Sequence, residues 1–187
     1  MAGDSAPAAL LVIDMIGLLD FPGAGTMAPR AVAAARKIQS LRRGFHDRDW
    51  PVVFANDNFA RWRSDFRYQV AMAVHAGGPA CEIASRLDPG PRDHFVLKPK
   101  HSAFLSTPLP VLLAKLGVRR LLLTGMALES CVLATAIDAN SREYEVAVVR
   151  DGVAGKPGLA APTLKVLEGS GTAVVLGSRA AMAWAGR

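Results

Sequence analysis

The chain has 187 residues, enough for one domain with a sizeable core, and its 51% hydrophobic and 20% charged residues are ordinary for a globular protein. No apolar run reaches the roughly 18–20 residues of a membrane span, and MAGDSAPAA at the start lacks the basic and apolar blocks of a secretory leader, so a cytoplasmic protein with no membrane partner is expected. The net charge of +6 is scattered in small groups such as Arg42-Arg43 and Arg119-Arg120, with no basic helix, zinc spacing or aromatic RNA-binding strand, which argues against a nucleic-acid partner.

Residues 8–14, AALLVID, form a short apolar run ending in an acid and read as a buried parallel strand. A Gly/Pro-rich loop follows to Pro29, then a helix over RAVAAARKIQSLRRGFHDRD with Pro29 near its start. PVVFAND (51–57) is a second strand. Residues 58–92 hold an Arg/Trp-rich loop, a helix around 65–76 and a Gly/Pro-bounded segment containing Cys81. DHFVLK (93–98) is a third strand, stopped by Pro99, and TPLPVLLAKLG a short helix. VRRLLLTG (118–125) is a fourth strand, followed by a helix from Leu128 to about Arg142. YEVAVVRD (144–151) is a fifth strand, APTLKVLEGSG a helix and TAVVLG a sixth strand. The last dozen residues specify little. Strand–helix alternation with short connections argues a single α/β domain over 1–187, a parallel sheet with helices on both faces.

In such sheets ligands bind beyond the carboxyl ends of the strands. Strand one ends at Asp14, which by itself also suits a capping role. Strand two ends at Asn56-Asp57-Asn58, residues that also build turns. Strand three ends at Lys98, whose type more often snorkels to water than reacts. After strand four comes Cys131, just inside a helix, where a buried Cys is ordinarily a small hydrophobe. Together these residues put a carboxylate, an ammonium and a thiol at one end of one sheet. A thiol near a helix start and beside a Lys is expected to be more acidic than a free Cys at about 8.5. An adjacent Asp can take and return its proton, and backbone N–H groups in the preceding turn can hold an oxyanion. None of the four histidines falls at a strand end or at metal-ligand spacing, so the site is expected to work without one. Cys81, in GGPACEIASRL, is expected only to pack.

Three motifs then resemble the isochorismatase-like cysteine hydrolases, a superfamily that includes nicotinamidases, N-carbamoylsarcosine amidohydrolases and ureidoacrylate amidohydrolases. LLVIDM resembles the first-strand motif and its catalytic Asp. VLKPKHSAFLST resembles the Lys segment, in a register that selects Lys98 over Lys100. TGMALESCVLATAIDA, followed by VAVVRDGVA, resembles the nucleophile motif. The resemblance implies a three-layer α/β/α fold with a six-stranded parallel sheet in the order 3-2-1-4-5-6. It implies a catalytic triad of Asp14, Lys98 and Cys131, with Asp14 as proton carrier in both halves of the reaction. It also implies a cis peptide at Met126–Ala127 and an oxyanion hole from the Ala127 and Cys131 N–H groups.

The implied activity is hydrolysis of a small amide, ureide or carbamoyl C–N bond through a thioester, by a homo-oligomer (dimer or tetramer) without cofactor. Metal-dependent relatives carry Asp-x-His after strand two. Here Asp57 is followed by Asn58 and Phe59, so no metal is expected. Phe21, Asp57, Asn58, Phe59 and Trp62 are the candidate substrate-lining residues, and Arg61, Arg63 and Arg67 are candidates to meet an anionic group. Two other readings stand beside this one. The first is vinyl-ether hydrolysis by Asp14 with no covalent step. The second is a non-enzymatic binding module, against which there is no G-x-G-x-x-G or phosphate loop.

Overall fold

Ala8–Ile13 forms β1, all six residues buried, and its two faces feed two different cores. Ala8, Leu10 and Val12 point into one layer, Ala9, Leu11 and Ile13 into the other. A strand buried on both faces must be apolar at consecutive positions, and that is why AALLVI carries no polar alternation. The computed structural model describes residues 8–58 and 64–187.

The chain continues through α1 (Ala24–His46), β2 (Val52–Asp57), α2 (Phe66–His75), α3 (Gly78–Leu87), β3 (His94–Lys98) and α4 (Leu109–Lys115). It then forms β4 (Arg120–Met126), a π-helical turn at Leu128–Val132, α5 (Leu133–Asn140), β5 (Glu145–Ala154), α6 (Ala160–Gly169), β6 (Val174–Leu176) and α7 (Ser178–Ala185). The six strands make one sheet in the order β3-β2-β1-β4-β5-β6, with every pair parallel. Ile38 and Phe45 of α1, Ile83 of α3 and Ala181 of α7 cover one face; Leu113 of α4, Ala136 of α5 and Leu167 of α6 cover the other. This is the expected α/β/α sandwich.

The chain runs outward from β1 to β3, then returns to lay β4 on the free side of β1. The strand ends of β1 and β4 therefore flank the switch point, where such sheets open a crevice. The two backbones meet closely there. Gly125 sits at φ +109°, and a Cβ on it would lie 2.0 Å from the Ile13 carbonyl oxygen, so the position admits only glycine.

Three elements differ from the sequence reading. Helix α1 begins at Ala24, so Pro29 lies inside it. The amides of Ala24, Thr26 and Met27 already bond to the Phe21 and Gly23 carbonyls, and the turn is made before the proline is reached. Helices α3 and α7 occupy the Cys81 segment and the final dozen residues. Both are short and rich in small residues, and α3 opens on Gly78-Pro79, a start that reads as loop.

The outer strand β3 is pinned where it begins. Arg42 and His46 of α1 bond the buried Asp93 carboxylate at 3.0 and 2.8 Å, and the Gly90 N–H donates to it at 2.8 Å. Burial works to raise the Asp93 pKa, but these bonds and the Arg42 charge outweigh it and hold the group below the usual carboxylate range.

Candidate active site

Asp14 follows β1 at φ 51°, its N–H bonded to the Ala55 carbonyl. Its Oδ1 accepts the Asp57 N–H at 2.7 Å and its Oδ2 meets Lys98 Nζ at 2.7 Å. Lys98 closes β3 and is 0% exposed, so it does not snorkel. Its side chain reaches past the end of β2 and also bonds the Lys100 carbonyl at 3.1 Å. Lys98 Nζ lies 3.7 Å from Asp57 Oδ2 and 3.6 Å from Cys131 Sγ.

Cys131 reaches this point through the turn after β4. The Met126–Ala127 peptide is cis. The Ala127 carbonyl accepts the Ser130 N–H at 3.1 Å and the Val132 N–H at 3.2 Å, the second an i to i−5 bond that makes the turn π-helical. Wide turns of this kind recur at functional sites. Cys131 thus sits in the π turn rather than at the first residue of a regular helix. Thr135 locks it from below: its hydroxyl donates to the Cys131 carbonyl at 2.7 Å and accepts the Ala103 N–H at 3.0 Å, tying α5 to the loop that follows Lys98. Asn56 plays a supporting part, bonding both the N–H and the carbonyl of Ile16 and so fixing the loop after Asp14.

The electrostatics correct the expectation of an acidic thiol. Burial and the negative charge of Asp14 push the Cys131 pKa up to about 12, and the Lys98 charge offsets only part of this. Burial raises Asp14 as well, against the pull of Lys98 and of its bond with Cys131. Burial works to lower Lys98, but the charges of Asp14, Cys131 and Asp57 outweigh it and raise it, so the ammonium persists. One buried cation supports one anion here, and the carboxylate holds that place. Asp14 and Cys131 share a hydrogen bond beside this one cation, so their protonation states are coupled.

Above these groups opens a cleft of about 340 Å³, lined by Asp14, Leu19, Asp20, Phe21, Asp57, His101, Met126, Ala127, Ser130 and Cys131. Phe21 and Asp57 are therefore on its wall. Asn58 is buried, bonds the Lys98 carbonyl through its N–H, and lines a neighbouring cavity of about 50 Å³ with Tyr68 and Gln69. Arg67 borders a separate groove of about 420 Å³ with Phe66, Asp93 and Phe95. Phe59, Arg61, Trp62 and Arg63 lie outside the described residues. Cys81 is half-buried in α3, its Sγ 3.7 Å from Ser85 Oγ. Among the described residues no group of three or more His, Cys, Asp or Glu is placed to hold a metal ion, and no helix is long and apolar enough to cross a membrane.

His101 is the residue that sequence reasoning passed over. Its Nδ1 lies 3.6 Å from Cys131 Sγ, and Ser130 Oγ lies 3.8 Å from the same sulfur. The available signal was its place three residues after Lys98, in the loop that Thr135 ties to α5 and to the Cys131 carbonyl.

A family model described as the isochorismatase domain matches residues 8–168. The chain is 35% identical over 149 residues to an uncharacterized isochorismatase family protein, YaaI, of Bacillus subtilis, spanning 80% of this chain and 81% of that one. It is 30% identical over 196 residues to the ureidoacrylate amidohydrolase RutB of Methylorubrum extorquens, spanning 90% and 79%. Among solved structures, an isochorismatase family protein from Desulfovibrio vulgaris superposes with a TM-score of 0.77 at 26% identity, covering 97% of this chain and all of that one.

Proposed function

This chain belongs to the isochorismatase family, and we propose that it is a cysteine hydrolase that cleaves a small amide, ureide or carbamoyl C–N bond through a thioester on Cys131. The observation that carries the reading is the contact of one fully buried ammonium, Lys98 Nζ, with both Asp14 (2.7 Å) and Cys131 Sγ (3.6 Å) at the base of a cleft. The amidohydrolase among its relatives supports the bond class.

Asp14 takes the thiol proton as Sγ attacks the carbonyl carbon. The negative charge then passes from carboxylate to sulfur, and Lys98, in contact with both, stays paired throughout. The Ala127 and Cys131 N–H groups receive the oxyanion, donors of a kind whose removal costs about 100–1000-fold in rate. Protonated Asp14 delivers its proton to the nitrogen, the C–N bond breaks and the amine or ammonia leaves. Water then hydrolyses the thioester, a step that needs a base for the water proton and an acid to return a proton to Sγ. Phe21 and Asp57 on the cleft wall contact the substrate. Turnover is expected to proceed in the presence of chelator, because Phe59 stands where metal-dependent relatives carry a His.

The test is ammonia release from a panel of ureidoacrylate, small amides, ureides and carbamoyl amino acids, followed by acid quench and mass measurement. An acyl adduct on Cys131, absent from Cys131→Ser, is the expected result. Full turnover by Cys131→Ser on a cleaved substrate would sink the covalent reading.

A further inference from the structure

We propose that His101 is a second catalytic residue, the base that activates water against the thioester and the acid that returns a proton to Cys131. The inference rests on the covalent reading above and divides its two halves between two carriers, Asp14 for acylation and His101 for deacylation.

The second half needs a proton carrier that incoming water reaches freely. The Asp14 side chain is 11% exposed, and both of its oxygens already accept bonds, from the Asp57 N–H and from Lys98. His101 has the complementary position. It is exposed, it lines the cleft, and its Nδ1 is 3.6 Å from Sγ. Asp14 and His101 thus both bear on the sulfur, and His101 is the more exposed of the two. Ser130 also lines the cleft and reaches Sγ, but a hydroxyl is no base near neutrality, whereas an imidazole is. The other ionisable groups on this wall are Asp20 and Asp57.

The protons balance. In acylation the Sγ proton goes to Asp14 and then to the leaving nitrogen, and Asp14 ends as a carboxylate. In deacylation the water oxygen bonds the thioester carbon and its proton passes to His101 Nδ1. The C–S bond breaks, the imidazolium protonates Sγ, and the acid product leaves with the second water hydrogen. The tautomer required at the outset has the proton on Nε2, with Nδ1 as acceptor.

The test uses the full chain and p-nitrophenyl acetate, whose leaving group needs no proton, so that only deacylation depends on a proton carrier. Wild type is expected to release nitrophenolate steadily. His101→Asn should release one equivalent per Cys131 in a burst at the wild-type rate, then slow by about 100-fold, the lower end of general acid–base effects. Intact mass should show one acetyl group on Cys131. Hydroxylamine, which attacks a thioester without a base, should restore release in the variant. Steady release by His101→Asn at the wild-type rate would overturn the proposal, as would a burst slowed by the same factor as turnover. If Cys131→Ala releases nitrophenolate as fast as wild type, the covalent reading itself falls and this inference with it.

Discussion

Replacing Lys98 by Met removes the ammonium while keeping most of the buried side-chain volume. Asp14 then loses its cation at a site only 11% exposed, where water replaces it poorly. At 2.7 Å and an effective dielectric of about 20, the lost attraction is about 6 kcal/mol. Freedom from the cost of burying the ammonium returns part of it, and breaking one side of such a pair typically destabilises by about 3–5 kcal/mol. The variant has one escape, which fixes a pH signature. Burial already raises the Asp14 pKa above the ordinary carboxylate value, and losing Lys98 raises it further. An acid with a raised folded pKa binds more protons folded than unfolded, so its penalty grows as pH rises and shrinks as pH falls. The stability gap between wild type and Lys98→Met should therefore narrow on acidification by about 1.4 kcal/mol per pH unit. The window runs between the wild-type and the still higher variant pKa of Asp14. Urea midpoints measured across the whole pH range in which both proteins fold read this directly. Adding Asp14→Asn to Lys98→Met should recover part of the loss, since no buried charge is then left alone. A loss under about 1 kcal/mol at neutral pH, or a gap that stays constant across the range, would refute the account of Lys98 as the buried counter-ion.

The Cys131 thiol should react slowly with iodoacetamide at neutral pH and faster only toward strongly alkaline pH; equal labelling of Cys81 and Cys131 at neutral pH would contradict the upward shift. Asp14→Asn removes both the charge that opposes the thiolate and the group that accepts its proton, so it should change the rate of Cys131 alkylation while lowering turnover by about 100–10,000-fold; alkylation at the wild-type rate across pH would show that Asp14 does not face the sulfur. Gly125→Ala should cost at least about 3 kcal/mol or fail to fold, through both the positive φ and the clash with Ile13, and a urea midpoint near wild type would dispute that contact. The chain is proposed to assemble as a dimer or tetramer, and a monomer by light scattering at micromolar concentration would refute it.

The strands were legible because each doubly buried parallel strand is a short apolar run, and AALLVI and RLLLTGM are such runs. The site was legible in outline for a related reason: Asp14 and Lys98 are charges ending apolar strands, a place where a charge needs a purpose. Short helices of small residues were not legible, since α3 and α7 are held by packing rather than by a strong periodic face. The direction of the thiol shift was missed because proximity to a helix start and a Lys is visible in sequence. Burial of Cys131 and the facing Asp14 charge are properties of the folded site, and they win. His101 escaped because a loop residue carries no periodic signal, and its loop is brought against the sulfur by folded-state bonds, from Ala103 to Thr135 and from Lys98 to the Lys100 carbonyl.

Lys98 stands on β3, an outer strand with a neighbour on one side only. Edges are among the first parts of a sheet to open in local fluctuations. The cation of the site is therefore held by one of the less secure strands of the fold, and the Asp93 cluster with Arg42 and His46 fastens that strand at its far end. Heat inactivation should then begin with fraying of an edge, while β1, β4 and β5 stay folded around an intact core. Activity would fade several degrees before the cooperative melt, and it would return on cooling, because what came apart was a hem and not the cloth.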